Sequence, residues 1–554
     1  MANGSGSGKK GRNGDGRTLK GESMKKRDSV RIINDEAMYD YFHYLSENMP
    51  DFLQVKGKSE KGGRAWQKSL TSYNFEQIYE TRKAVYSETE VCSELCMMDD
   101  ILHIFQEYFR IPGIDRLLVN NYGALENDIF LEFDGESGAP KRIREHYKHQ
   151  YRNVYLGSVF MLEYGFLDAM TNCIMKSHTI VASYIKAQTE GKETAVKRVL
   201  YQSYFISAMF HDIGYPLDFF MRKVKQIHKY APFYKIISSN VKEEFVELRA
   251  SLAGSLLFEL VAVEKIEEKY NCNDHGCLSA LSFLLNFYST GSIFSLDEIE
   301  RCMVEMSALA IYRHTDRLEN DYIIFEEDPL SYLVRLCDDL QEWERFLLNI
   351  NEKHNYLKCA KCGGIVHSKG CIYECGCGAR YEKITDIINK KVNYISLCNH
   401  LLLDYDEEKE ELEIYLEFDP YKQIEILLDD YSAVIKRKKD LDTVKNYLKF
   451  QKFMPKIGLR ENLSNNPIDL IFDFLEQEQI SVEQLKEEEF PWNDYGKGKM
   501  SEFLEKLDKY ENKEEREKEF GGRLESDVLG YGRNATKFVE EYLGQIHSVM
   551  KSRG

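Results

Sequence analysis

Phe210-His211-Asp212-Ile213-Gly214-Tyr215-Pro216 is the stretch on which the reading of this chain turns. Leu200, Tyr204, Ser207 and Ala208 precede it at helical spacing and lay one apolar face along a helix that ends near His211. Gly214 and Pro216 then break the helix, so the His-Asp pair sits at a helix-to-loop corner where both side chains converge. An imidazole beside a carboxylate suits a divalent metal of borderline or hard character, such as Mn²⁺, Fe²⁺, Co²⁺, Ni²⁺ or Mg²⁺. Taken alone, the dipeptide reads more readily as a capped helix end with a satisfied histidine.

Two other segments change that balance. Upstream, Arg144-Glu-His146-Tyr-Lys-His149-Gln-Tyr151 runs into Val154, Tyr155, Phe160 and Leu162, a strongly apolar helix with His149 in its first turns. Downstream, Asp328-Pro329-Leu330 offers a capping aspartate and a proline at the first helical position. Leu330, Leu333, Val334, Cys337 and Leu340 continue as an apolar stripe with Asp338 on its edge. A carboxylate at an apolar face costs several kcal/mol unless it is paired or metal-bound. The plainer reading of Asp338 is a salt bridge to Arg335 or Arg345, and its neighbour Asp339 is expected to face solvent.

The order His149, His211-Asp212, Asp338 on successive helices resembles the HD superfamily of metal-dependent phosphohydrolases, over about 200 residues from Arg144 to Arg345. The resemblance implies a mostly α fold, an HD-domain helical bundle, and an enzyme whose divalent metal is held by His149, His211, Asp212 and Asp338. Proton-handling roles would fall to His146, Asp218, His228 or His314, and Arg313, Arg317 and Tyr215 would contact the substrate. The Gly214-Tyr215-Pro216 continuation looks most like deoxynucleoside triphosphate triphosphohydrolases, where a histidine usually stands between the glycine and the proline. Here it is Tyr215, and His228 could supply the group from a shifted position. The resemblance also implies a homo-oligomer, a nucleotide effector, and a role in nucleotide-pool control or antiviral defence.

A second motif is independent of the first. Cys359-Ala-Lys-Cys362-Gly-Gly, ten residues, then Cys375-Gly-Cys377-Gly has the form of a zinc ribbon, since two tight cysteine turns followed by small residues are what tetrahedral thiolate coordination needs. Cys371 and His367 are alternative fourth ligands. A closed four-thiolate site stabilises a fold and offers no catalytic position.

Composition sets the frame. Of 554 residues, 43% are hydrophobic and 30% charged, which excludes disorder, collagen and a small disulfide scaffold. The formal net charge of -18 argues against a surface that wraps duplex nucleic acid. A nucleotide with its metal is the more natural anionic partner. No apolar run is long enough to span a membrane, and 13 cysteines without a secretion signal point to the reducing cytoplasm. The chain divides into a flexible arm or linker (1–30), an N-terminal helical segment (31–96), the HD domain (97–350), the zinc ribbon (351–390) and a C-terminal α+β region for regulation or oligomerisation (391–554). Glu411-Leu-Glu-Ile-Tyr-Leu-Glu-Phe418 alternates as a half-buried strand. Two other functions stay open: a phosphodiesterase or nuclease on cyclic nucleotides or single-stranded nucleic acid, and a nucleotide-sensing scaffold without turnover.

Overall fold

The computed structural model describes residues 30–47, 50–53, 146–215, 245–316, 323–343, 346–348, 359, 361–362, 366–369, 372–381, 394–406, 408–420, 423, 431–449, 456–464 and 467–477, with 479, 481, 483, 505, 512 and 514. Among them helices dominate and the strands form small sheets. The elements that position the site are β1 (Arg31–Ile33), α1 (Asp35–Glu47), α2 (His146–Glu163), α3 (Phe166–Lys176), α4 (Ile180–Gln188), α5 (Glu193–Phe210), α6 (Leu256–Leu260), α7 (Val263–Asn271), α8 (His275–Tyr288), α9 (Glu298–Arg313) and α10 (Pro329–Leu340). No described helix is long and apolar enough to cross a membrane.

Helix α5 is the axis of the bundle. Every residue from Val199 to Phe210 is buried, the signature of a helix covered on all sides, and α2, α3, α9 and α10 pack around it. Its contact with α9 is made by small residues. Ser203 and Ser207 face Ser307, and the Ser207 and Ser307 hydroxyls each return a 2.6 Å hydrogen bond to the carbonyl four residues back. Buried hydroxyls are thereby satisfied without a partner from outside. Phe160, Phe166, Phe325 and Tyr332 fill the far side of the core, each large side chain contributing about 1.5–3 kcal/mol through burial.

The helix ends follow the sequence rules. Asp328 accepts a hydrogen bond from Ser331 N at 3.2 Å with Pro329 in the first turn of α10. Asp297 and Glu300 form a capping box at α9. Asp339, expected in solvent, instead lies 12% exposed against Arg335 at 2.8 Å. The arginine four residues earlier on α10 lies over it, so the ion pair foreseen for Asp338 is made by its neighbour, and Asp338 is left to turn inward.

Beyond α10 come β2 (Phe346–Leu348), β3 (Val366–Lys369), β4 (Ile372–Cys375), β5 (Arg380–Tyr381), β6 (Tyr394–Ser396), β7 (Cys398–Asp406), β8 (Glu411–Phe418), α11 (Tyr431–Leu448), β9 (Lys456–Glu461) and α12 (Pro467–Gln477). Strands β3, β4 and β5 form an antiparallel sheet next to the cysteines. The largest sheet has the order β1-β7-β8-β9, with β8 and β9 parallel across the α11 connection. Burial along β8 alternates as its sequence does, Leu412, Ile414, Leu416 and Phe418 inward. Strand β1 closes one edge by pairing Ile32 with Leu402, so the start of the N-terminal segment belongs to the C-terminal sheet.

Candidate metal centre

Three helices deliver the site. His149 comes from the second turn of α2, His211 is the C-cap of α5 with Asp212 after it, and Asp338 lies in the last turn of α10. His149 Nε2 lies 2.8 Å from Asp338 Oδ1 and 3.9 Å from Asp212 Oδ2. His211 Nε2 lies 3.4 Å from Asp212 Oδ2 and 3.7 Å from Asp338 Oδ1. His149, His211 and Asp212 are buried, while the Asp338 side chain is 18% exposed and marks the open side.

The histidines are held in the tautomer a metal needs. His149 Nδ1 donates to Gln341 Oε1, and Gln341 is itself fixed because its Nε2 donates to Trp343 O at 2.7 Å. His211 Nδ1 donates to Ala208 O at 2.8 Å. Each Nε2 is therefore the nitrogen turned toward the carboxylates, with a lone pair to offer an ion that displaces its proton. The electrostatics ask for a cation. Burial works against protonation of His211, yet Asp212 and Asp338 outweigh it and push the ring up to about 9. Burial would raise Asp338, but contacts from His149 and His211 hold it well below the usual carboxylate range. Two converging carboxylates and inward lone pairs fit a divalent ion of the Mn²⁺, Fe²⁺, Co²⁺, Ni²⁺ or Mg²⁺ class.

Asp212 has a second face. Its Oδ1 lies 3.7 Å from His275 Nε2 and 3.7 Å from His314 Nε2. His314 is fully buried, its Nδ1 donates to Ile311 O at 2.6 Å, and its Nε2 has no hydrogen-bond partner among the described residues. An orphaned buried nitrogen aimed at a carboxylate is a place for a ligand. Burial lowers His275 to about 4 despite the pull of Asp212. These rings are brought in by close packing. A Cβ on Gly214 would stand 2.5 Å from His275 O, and one on Gly276 would stand 2.9 Å from His314 Cε1. Only glycine lets the His-Asp corner, the start of α8 and the end of α9 meet.

None of the protein-family models, curated proteins or solved structures compared with the chain matches it.

Of the residues singled out in the sequence, the structure brings together His149, His211, Asp212, Asp338 and His314. Tyr215 lies against the His275 ring, with centroids 4.4 Å apart. Arg313 points away from the cluster. It pairs with Asp328 and lines a cleft of about 350 Å³ with Lys265, Asp316 and Glu327. His146 begins α2, and Asp218, His228, Arg317 and Cys371 lie outside the described residues. Sequence reasoning missed His275, Gln341 and Asn153. Asn153 had a visible signal, a polar residue four after His149 on an apolar helix. His275 follows the capping Asp274 of α8, a weaker one. Gln341 had none, because its role depends on where α10 ends.

The cysteines form a separate cluster. The sulfurs of Cys359, Cys362, Cys375 and Cys377 lie within 4.8 Å of one another, with Cys359–Cys377 at 3.5 Å and Cys362–Cys375 at 3.4 Å. The Tyr381 hydroxyl, 3.0 Å from Cys359 Sγ, holds that thiol down at about 6. Four thiols at this spacing can hold one metal ion without His367 on β3.

Proposed function

We propose that this chain is a metal-dependent phosphohydrolase of the HD type that acts on nucleotides, with deoxynucleoside triphosphates as the favoured substrate class. The observation that carries the hydrolase reading is the convergence of two Nε2 lone pairs and two carboxylates from α2, α5 and α10, at gaps of 2.8–3.9 Å. These four residues would hold a divalent ion, which would supply Lewis-acid chemistry to a phosphoryl group and a more acidic water. The chain's own residues do the rest. Gln341 and Ala208 O keep His149 and His211 in the binding tautomer. His314 and His275, on the other side of Asp212, would donate to phosphoryl oxygens or carry a proton. The preference for deoxynucleoside triphosphates rests on the likeness of the His211-Asp212-Ile213-Gly214 segment and its proline. The same reading assigns zinc to the four cysteines.

A second reading has its own observation. Asp212 presents Oδ2 to His149 and His211 and Oδ1 to His275 and His314, so His275, His314 and Asp212 would be the residues to hold a second ion. Paired ions suit in-line attack on phosphodiesters, hence cyclic nucleotides or single-stranded nucleic acid.

One assay separates them. The full chain is incubated with Mn²⁺ or Mg²⁺ and a panel of dNTPs, NTPs, cyclic nucleotides and single-stranded DNA, and the products are resolved. Intact triphosphate released from a dNTP is expected. Shortened oligonucleotides or opened cyclic nucleotides would replace the first reading with the second, and absence of turnover on every substrate would overturn both.

A further inference from the structure

We infer that Asn153 is a fifth protein ligand of the ion held by His149, His211, Asp212 and Asp338, binding it through the side-chain carbonyl oxygen. The inference rests on the metal reading above and deepens it.

Asn153 stands one turn after His149 on α2 and is 2% exposed. Its Nδ2 lies 3.2 Å from His149 Nε2 and 3.4 Å from His211 Nε2. Its Oδ1 is buried and has no hydrogen-bond partner among the described residues. The backbone under it is fixed, because Tyr204 donates to Asn153 O at 2.6 Å. Packing alone does not favour an asparagine here. A buried amide costs about 1–3 kcal/mol where its partners are missing.

The two ends of a side-chain amide have the same shape, so surrounding charge decides which way it faces. In the structure the N–H end stands next to the two Nε2 atoms, which give up their protons and offer lone pairs only when an ion binds. With those lone pairs committed to a cation, the same N–H end would point its positive dipole at that cation. A half-turn about the terminal torsion puts Oδ1 there instead. The turn forfeits no bond to Oδ1, because Oδ1 has none, and it exchanges one unpartnered buried atom for another, so the ion–oxygen contact is net gain. The separations agree. Donors about 2.1 Å from one six-coordinate ion lie about 3 Å from their neighbours, and the amide end sits 3.2 and 3.4 Å from the two ring nitrogens.

The chemical consequence is a set of five protein donors, two imidazoles and three oxygens. That exceeds the four of a tetrahedral zinc site and selects a six-coordinate ion such as Mn²⁺ or Fe²⁺. One position is left for water or a phosphoryl oxygen.

The test is Mn²⁺ affinity, read from the free-ion paramagnetic resonance signal, on the full chain with its cysteine site already filled by zinc. Asn153→Leu removes the oxygen and is expected to weaken binding at least about tenfold. Asn153→Asp keeps an oxygen, loses the N–H, and is expected to bind at least as tightly as wild type. Unchanged affinity in Asn153→Leu overturns the inference. So does an Asn153→Asp protein as weak as the leucine variant, since the N–H would then be the working group. Asn153→Asp decides the matter even if the leucine variant does not fold. A wild type that binds no Mn²⁺ overturns the metal reading itself, a result distinct from a wild type that binds and is indifferent to Asn153.

Discussion

Gln341 acts on Asp338 through His149. By accepting from His149 Nδ1 it aims Nε2 at Asp338, and its own amide is fixed by Trp343 O. Gln341→Leu is expected to lower divalent-metal affinity about 10–100-fold and to cost about 1–3 kcal/mol by stranding a buried N–H, as read by calorimetric titration and by thermal unfolding. Equal affinity in variant and wild type would remove Gln341 from the site. Gly214 acts through space it does not fill. Gly214→Ala drives a Cβ to 2.5 Å from His275 O and 2.6 Å from Ser279 N, so the α5 corner or α8 must move. A drop in melting temperature together with weaker metal binding is expected, at a cost of about 1–3 kcal/mol.

At the scale of elements, two carboxylates act as fasteners, Asp35 half-buried and Glu305 buried. Asp35 at the start of α1 holds the fully buried Arg152 of α2 through contacts of 2.7 and 2.6 Å and accepts from the Trp343 indole at 3.1 Å. Asp35→Ala removes both of these contacts from the buried guanidinium. A loss of about 1–3 kcal/mol is expected in chemical unfolding; no measurable loss would show that the pair adds nothing to stability. Glu305 on α9 accepts from Leu256 N at 2.9 Å and from the Tyr288 hydroxyl, tying α6 and α8 to α9. Burial pushes its carboxyl up to about 7 from an ordinary value of 4.5. With the folded value above the unfolded one, its contribution is full below the unfolded value and fades as pH rises through about 7. Wild type is therefore expected to lose more stability than Glu305→Gln between about pH 5 and about pH 8. Parallel melting curves for the two proteins would contradict this.

Across the whole molecule, the helical bundle and the later α/β elements are joined near the His/Asp cluster. Gln341, Glu342 and Trp343 follow α10 directly; Glu342 pairs with Arg437 of α11, and Trp343 bridges to Cys398 at the start of β7. The cysteine cluster is chemically separate, since its donors are thiols and the other site's are imidazoles and carboxylates. Cys359→Ser is expected to remove about one zinc per chain in elemental analysis while leaving Mn²⁺ binding at His211 intact. Loss of both metals together would show that the ribbon supports the bundle.

The sequence by itself determined the parts whose physics is local. Helical spacing before His211, the Asp328-Pro329 start of α10, the alternation along β8 and the paired cysteine turns were all legible, because each depends on residues within a few positions of one another. That His149, His211, Asp212 and Asp338 belong to one cluster was legible through the order in which they occur. Tertiary structure alone decided the rest. Arg335 took Asp339 rather than Asp338, His275 and His314 met Asp212 through contacts that only Gly214 and Gly276 permit, and Gln341 reached His149 across 192 positions. Those choices rest on which helix faces lie against one another, and no short window of sequence carries that distance.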